Sequence, residues 1–157
     1  MKNLKNFIVG LVGLLSIVSL ALATVSRAQS QPNDSCRNID GNISGQLIGP
    51  TALCGGQLTS IGTFTDRDGN ALGTFLACAT SIQQSGDGAL KFRLAHTYTT
   101  ISGDTFSTTD NLVAPPIDPP LYGVNNRADI TGGTGAFQDA FGFIRDHGTV
   151  DLATGVV

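Results

Sequence analysis

Glutamate is absent from this 157-residue sequence, and a single lysine, Lys91, occurs after residue 28. Both residues favour exposed helices, so their scarcity argues against surface helices. Plentiful Thr, Gly, Ile and Val point instead to strands joined by glycine turns. Basic residues are few as well: of nine, Lys2, Lys5 and Arg27 precede residue 28, leaving six against twelve acidic residues, all Asp, or about -6 at neutral pH. That balance excludes nucleic acid as a partner. No zinc-ligand spacing, CxxC motif, Gly-x-Ser-x-Gly elbow or Lys-Ser/Thr phosphate-loop ending occurs, so no metal or other cofactor is called for.

The one long apolar run lies at the start. Lys2 and Lys5 precede Phe7 to Ala23, and Ser26-Arg27-Ala28 follows with small residues where a signal peptidase reads them. This pattern predicts a signal peptide over residues 1–28, a secreted or periplasmic location, and no membrane span after cleavage. Residues 29–38 are polar and read as a flexible tail, leaving 39–157 as one domain. Cys36, Cys54 and Cys78 make an odd count for an exported chain. Cys36 and Cys54 lie in polar or glycine-rich surroundings and Cys78 within a strand-like run, so the expected disulfide is Cys36 with Cys54, with Cys78 a small buried hydrophobe.

From residue 39 onward, apolar runs alternate with turn signals. Strands are expected over 39–48, 57–65, 71–83, 89–101, 105–113, 121–130 and 141–152, the last bent or bulged near Gly148. Asp66, Asp68 and Asn70 alternate as in an ion-binding loop, but the closing bidentate acid is missing and Asp68-Gly69 reads as a hairpin turn. The strand from Ala89 alternates most clearly: Phe92, Leu94, His96 and Tyr98 share one face, Lys91, Arg93, Ala95 and Thr97 the other. Four prolines between Ala114 and Pro120 require a stiff connector or an edge crossing. Seven or eight strands suit an antiparallel β-barrel, or alternatively a β-sandwich.

Between the last two strands lies Ile130 to Gly142. Gly132, Gly133 and Gly135 permit a sharp reversal, and Phe137, Ala140 and Phe141 share the spacing of one helical turn, which predicts a turn followed by a plug at one barrel end. Thr131-Gly132-Gly133-Thr134-Gly135-Ala136-Phe137, with Ala140 and Gly142, resembles the GGTGxFxxAxG segment of the allene oxide cyclase and dirigent barrel superfamily, small secreted bacterial members included. The resemblance implies an eight-stranded antiparallel barrel with a mostly apolar lumen, and a homotrimer as in the plant families. It does not carry their reactions over, and no Glu is present to stand as a cyclase acid.

His96 and Tyr98, placed beside Phe92 and Leu94, are the candidate polar groups of such a lumen, able to hydrogen-bond a carbonyl or phenol or to move a proton. Arg127, two residues from Asp129 on one strand face, is the third candidate, as a cavity or a surface ion pair. Arg145 and His147 share a face, and a metal site would need His147 to meet His96. The sequence thus supports an exported barrel that binds a small lipophilic or phenolic ligand, or serves a structural role, without catalysis of its own. The alternatives are a cofactor-free cyclase or isomerase acting in the lumen, and an oligomeric envelope protein that uses the proline segment for contact.

Overall fold

The computed structural model describes residues 40–157; the expected signal peptide, the tail and Cys36 lie outside the described residues. The described chain is all-β. Its strands are β1 (Gly41–Thr51), β2 (Gln57–Asp66), β3 (Ala71–Gln84), β4 (Leu90–Thr100), β5 (Thr105–Ala114), β6 (Pro116–Asp118), β7 (Leu121–Gly133) and β8 (Gly142–Asp151). All pair antiparallel with their neighbours in one curled sheet, β1 to β5, then β7, then β8. The barrel reading therefore holds over the sandwich.

The proline segment is the one place where a strand appears that the pattern had left as a connector. β6 runs along the edge of β7 that β5 occupies, pairing Pro116 with Tyr122 and Asp118 with Leu121. Prolines are tolerated there because little ladder pairing is asked of so short a strand. The expected bulge near Gly148 is absent: β7 and β8 keep register from Leu121/Asp151 to Ile130/Gly142. Register shifts fall elsewhere, notably between Ala79 and Ser81 of β3.

The curl brings the first and last strands together at one end. The Gly45 and Val157 backbones exchange two hydrogen bonds of 3.0 Å, and Leu47 N donates to Gly155 O at 2.8 Å. Gly155 has φ of 77°, and a Cβ there would lie 2.5 Å from Gln46 Nε2, so only glycine lets the tail dock this closely. Among the described residues β1 and the opposite edge meet through this tail alone, which leaves a seam along β8.

Inside the curl the core is aromatic. Tyr98 stacks on Phe106 at 4.5 Å and on His96 at 5.4 Å, with Phe64 edge-on at 5.6 Å. Such contacts contribute roughly 0.5–1.5 kcal/mol each beyond burial. Phe75 fits because β1 and β2 present glycines to it: a Cβ on Gly62 would lie 2.6 Å from its ring, and one on Gly45 2.7 Å.

Cysteine pairing differs from expectation. The disulfide joins Cys54 to Cys78, with Cα atoms 5.3 Å apart, in place of Cys36 with Cys54. Cys78 pairs across strands with Thr59 and Ala95, on the face opposite Ala77 and His96, so it points away from the aromatic core. A single 3-10 turn, Ala52–Cys54, carries Cys54 onto that face, where its sulfur also lies 3.6 Å from Ala77 O.

Two outcomes follow from this packing. Peptide mapping without reductant should recover Cys54 linked to Cys78, and Cys78→Ser should lower unfolding free energy by about 3 kcal/mol, as expected for a closed loop of this length. Gly62→Ala should cost about 1–3 kcal/mol in denaturant melts because its Cβ would run into the Ser44 carbonyl oxygen and the Gly45 backbone as well as the Phe75 ring.

Candidate functional site

The glycine-rich motif builds the upper end of the barrel much as its sequence suggests. Gly132 and Gly135 take φ of 130° and 55°, and a 3-10 turn follows over Gly135–Phe137. Thr134 ties it to β5, its Oγ1 accepting from Thr105 N at 3.0 Å and its N donating to Thr105 O at 2.8 Å. Phe137 leans on Phe106 at 5.0 Å and against Gly133, and is half-buried there. Phe141 is not: it is 75% exposed, because the helical turn ends before it and the chain runs outward into β8.

Strict alternation on β4 places His96 and Tyr98 on the inner face, as read from sequence. Tyr98 is 2% exposed. Burial, reinforced by the nearby Asp110 and Asp146 carboxylates, raises its phenol above the ordinary range, so it stays protonated. His96 faces Thr108 across β5 and Ala77 across β3. Its Nδ1 lies 3.0 Å from Asp110 Oδ2, with the ring turned off the line of a regular hydrogen bond.

Asp110 is the centre of this group and is wholly buried. Thr108 Oγ1 donates to its Oδ1 at 2.5 Å, and Asn126 Nδ2 to its Oδ2 at 2.6 Å. Burial pushes the Asp110 carboxyl up, but the close approach of His96, with the hydrogen bonds from Thr108 and Asn126, outweighs it and holds the group below its usual value. The same Asn126 Nδ2 lies 3.2 Å from Asp146 Oδ2 on β8. Asp146 is shifted the other way: burial raises it, Asn126 only partly compensates, and Asp110 adds like-charge repulsion. One amide thus bridges a carboxylate kept ionised and a carboxyl that holds its proton longer.

Asn126 Oδ1 is buried without a hydrogen-bond partner, as are Ser60 Oγ and His96 Nδ1 by strict geometry. Unpaired buried acceptors cost about 1–3 kcal/mol, so this cluster is incomplete as it stands. Asp110, Asn126 and Asp146 were not among the residues singled out from sequence. The signal for two of them was present: Asp110 alternates with Phe106, and Asn126 with Val124 and Ala128, on apolar faces where a polar residue is the informative exception.

Arg127 is elsewhere. Its neighbours Asn126 and Ala128 are buried, so alternation turns Arg127 outward, where it pairs with Asp129 at 3.0 Å with both side chains about half exposed. His147 is likewise on the outer face and does not meet His96. Asp66, the start of the ion-like loop, spends its carboxylate on the turn itself, accepting from Asp68 N at 3.0 Å and Asn70 N at 2.8 Å.

The two carboxyls should act oppositely on stability. Asp110, depressed below 3.8, stabilises the fold above that pH and loses this contribution as pH falls through its folded value; Asp146, raised above 3.8, begins to destabilise as pH rises past 3.8 and does so fully above its folded value. Thermal melts should therefore find Asp146→Asn more stable than wild type at pH 7, with the gap closing below about pH 4. Asp110→Asn should lose about 3 kcal/mol at pH 7. Comparison of this chain with family models, with curated proteins and with solved structures finds no match, so its functional reading rests on this site's chemistry.

Proposed function

We propose that this is an exported β-barrel protein that binds a small, largely apolar or aromatic molecule bearing a hydroxyl or carbonyl group. The observation that carries the reading is an unfinished polar cluster set in an aromatic wall. Phe75, Tyr98 and Phe106 pack into the wall, while His96, Asn126 and Asp146 place donors and acceptors at one side of it. A ligand hydroxyl could satisfy Asn126 Oδ1, and a phenol or carbonyl could accept from Asp146 in its protonated form. The seam beside β8 gives the route, since Asp146 sits on that edge strand and is only half-buried.

Export agrees with the N-terminal charge and apolar pattern and with a disulfide, which persists in oxidising compartments. Among the described residues no helix is long and apolar enough to cross a membrane. Likeness of the Gly132-to-Gly142 segment to the allene oxide cyclase and dirigent superfamily supports a lumen ligand of lipophilic or phenolic character, and a homotrimer.

A second reading has its own observation. Two carboxyls driven apart in protonation are what an acid and a charge-stabilising base need, so a cofactor-free cyclase or isomerase could use Asp146 as proton donor and the Asp110–His96 pair to stabilise developing positive charge. One set of measurements separates the two. Native mass spectrometry of protein from its own host should reveal a bound small molecule, and a phenolic probe should bind wild type but at least ~10-fold more weakly to Asn126→Leu, which removes the hydrogen bonds. An empty protein with no affinity for lipophilic or phenolic probes would falsify the binding reading. Turnover of an oxylipin-type epoxide by wild type, abolished in Asp146→Asn with the fold intact, would move the assignment to the enzyme.

A further inference from the structure

The outer face of the sheet carries a different chemistry from its lumen. Cross-strand pairing aligns Ser81, Arg93, Asn111, Arg127 and Arg145 in one row over β3, β4, β5, β7 and β8. The next row toward the other barrel end holds Gln83, Lys91, Val113, Asn125 and His147. Apart from Arg67, every Lys and Arg among the described residues lies in these two rows. The acids lie elsewhere: Asp110 and Asp146 face inward, and Asp40, Asp66, Asp68, Asp87, Asp104, Asp118, Asp139 and Asp151 sit in turns or at or next to strand ends. Asp129 is the one carboxylate paired to the rows, through Arg127.

Arg127 and Arg145 stand directly opposite each other on β7 and β8. Like charges in that position destabilise a sheet, and among the described residues only Arg127 of the two has an acid partner, Asp129. Phe143 is held beneath both, its ring 4.5 Å from the Arg127 guanidinium and 5.2 Å from that of Arg145, and it is itself half exposed. Two shallow depressions run along the same rows, about 280 Å³ between β3 and β5 and about 420 Å³ between β5 and β8, meeting at Asn111. Together they form a trough that crosses the strands, with a charged or amide side chain roughly every 5 Å.

We infer that this trough binds a linear carboxylated polysaccharide. The arginines and Lys91 suit carboxylates set along a polymer, with Arg able to take each one through two parallel hydrogen bonds. Asn111, between Arg93 and Arg127, and Asn125, Gln83 and Ser81, elsewhere in the two rows, suit sugar hydroxyls, and the exposed Phe143 ring offers an apolar face to a sugar ring. A duplex nucleic acid fits less well. Its two strands carry charge far denser than the few cations of this row can match.

Purified protein should bind oligogalacturonate in titration calorimetry, and ~10-fold more weakly as NaCl rises from about 50 to about 200 mM. Arg93→Gln/Arg127→Gln/Arg145→Gln should reduce affinity by ~10-fold or more with circular dichroism unchanged, and Asp129→Asn, which frees Arg127, should tighten it. Dextran of similar length should not bind. Equal binding of dextran, affinity unchanged in the triple variant, or a short DNA duplex bound as tightly at the same salt would overturn the inference. So would wild-type self-association that the triple variant abolishes, because the trough would then belong to a second copy.

Discussion

A carboxylate sealed from water sets the terms for the interior of this barrel. Asp110 sits on β5 between the aromatic wall and the edge strand, and it stays ionised only because His96, Thr108 and Asn126 converge on it. Each of those partners comes from an inward position on β4, β5 or β7. Their register is therefore tied to the carboxylate, because a slip of one residue would turn them outward and strand a buried charge. Such a group adds little net stability compared with a well-packed apolar one. What it adds is discrimination between one pairing and its neighbours.

The same constraint explains why Asp146 behaves differently from Asp110 although one amide touches both. Asn126 Nδ2 has a hydrogen for each carboxyl, but the shorter contact goes to Asp110. Burial and the neighbouring Asp110 charge favour the neutral form of Asp146, and the longer Asn126 bond offsets them only in part. Its place on the edge strand adds access from outside, which Asp110 lacks. Proton exchange and ligand contact are thereby concentrated on one carboxyl, while the other serves as a fixed charge.

Much of the fold was readable because period-two alternation is a strong constraint wherever one face is buried. Phe92, Leu94, His96 and Tyr98 on β4 fall on one face as the pattern requires, and the glycine turn with Phe137 falls at the end where it was expected. Phe141 was misplaced because spacing alone cannot say where a single helical turn stops. The disulfide was missed for a related reason: local composition gave Cys78 a core position, whereas its cross-strand partners Thr59 and Ala95 put it on the outer face. β6 was hidden by its prolines. In the site, His96 and Tyr98 were legible from alternation. Asp146 was not, since its face carries Ile144 and Val150 but also Gly142 and Gly148, while Phe143 lies on the other, and this weak contrast leaves the buried set ambiguous.

That last ambiguity is itself informative. On β7 and β8, Asn126 and Asp146 pair across the inner face, and Arg127 and Arg145, one residue further along β7 and one residue back along β8, pair across the outer face. Adjacent positions thus serve two environments separated by one sheet thickness, an enclosed one where burial decides protonation and an open one where salt screening governs attraction. A Cα backbone shared so closely means that a register change in the last hairpin would disturb both faces at once. Side-chain substitutions, by contrast, act on one face and leave the other's chemistry intact, because the sheet backbone between them is held by its own hydrogen bonds rather than by either set of side chains.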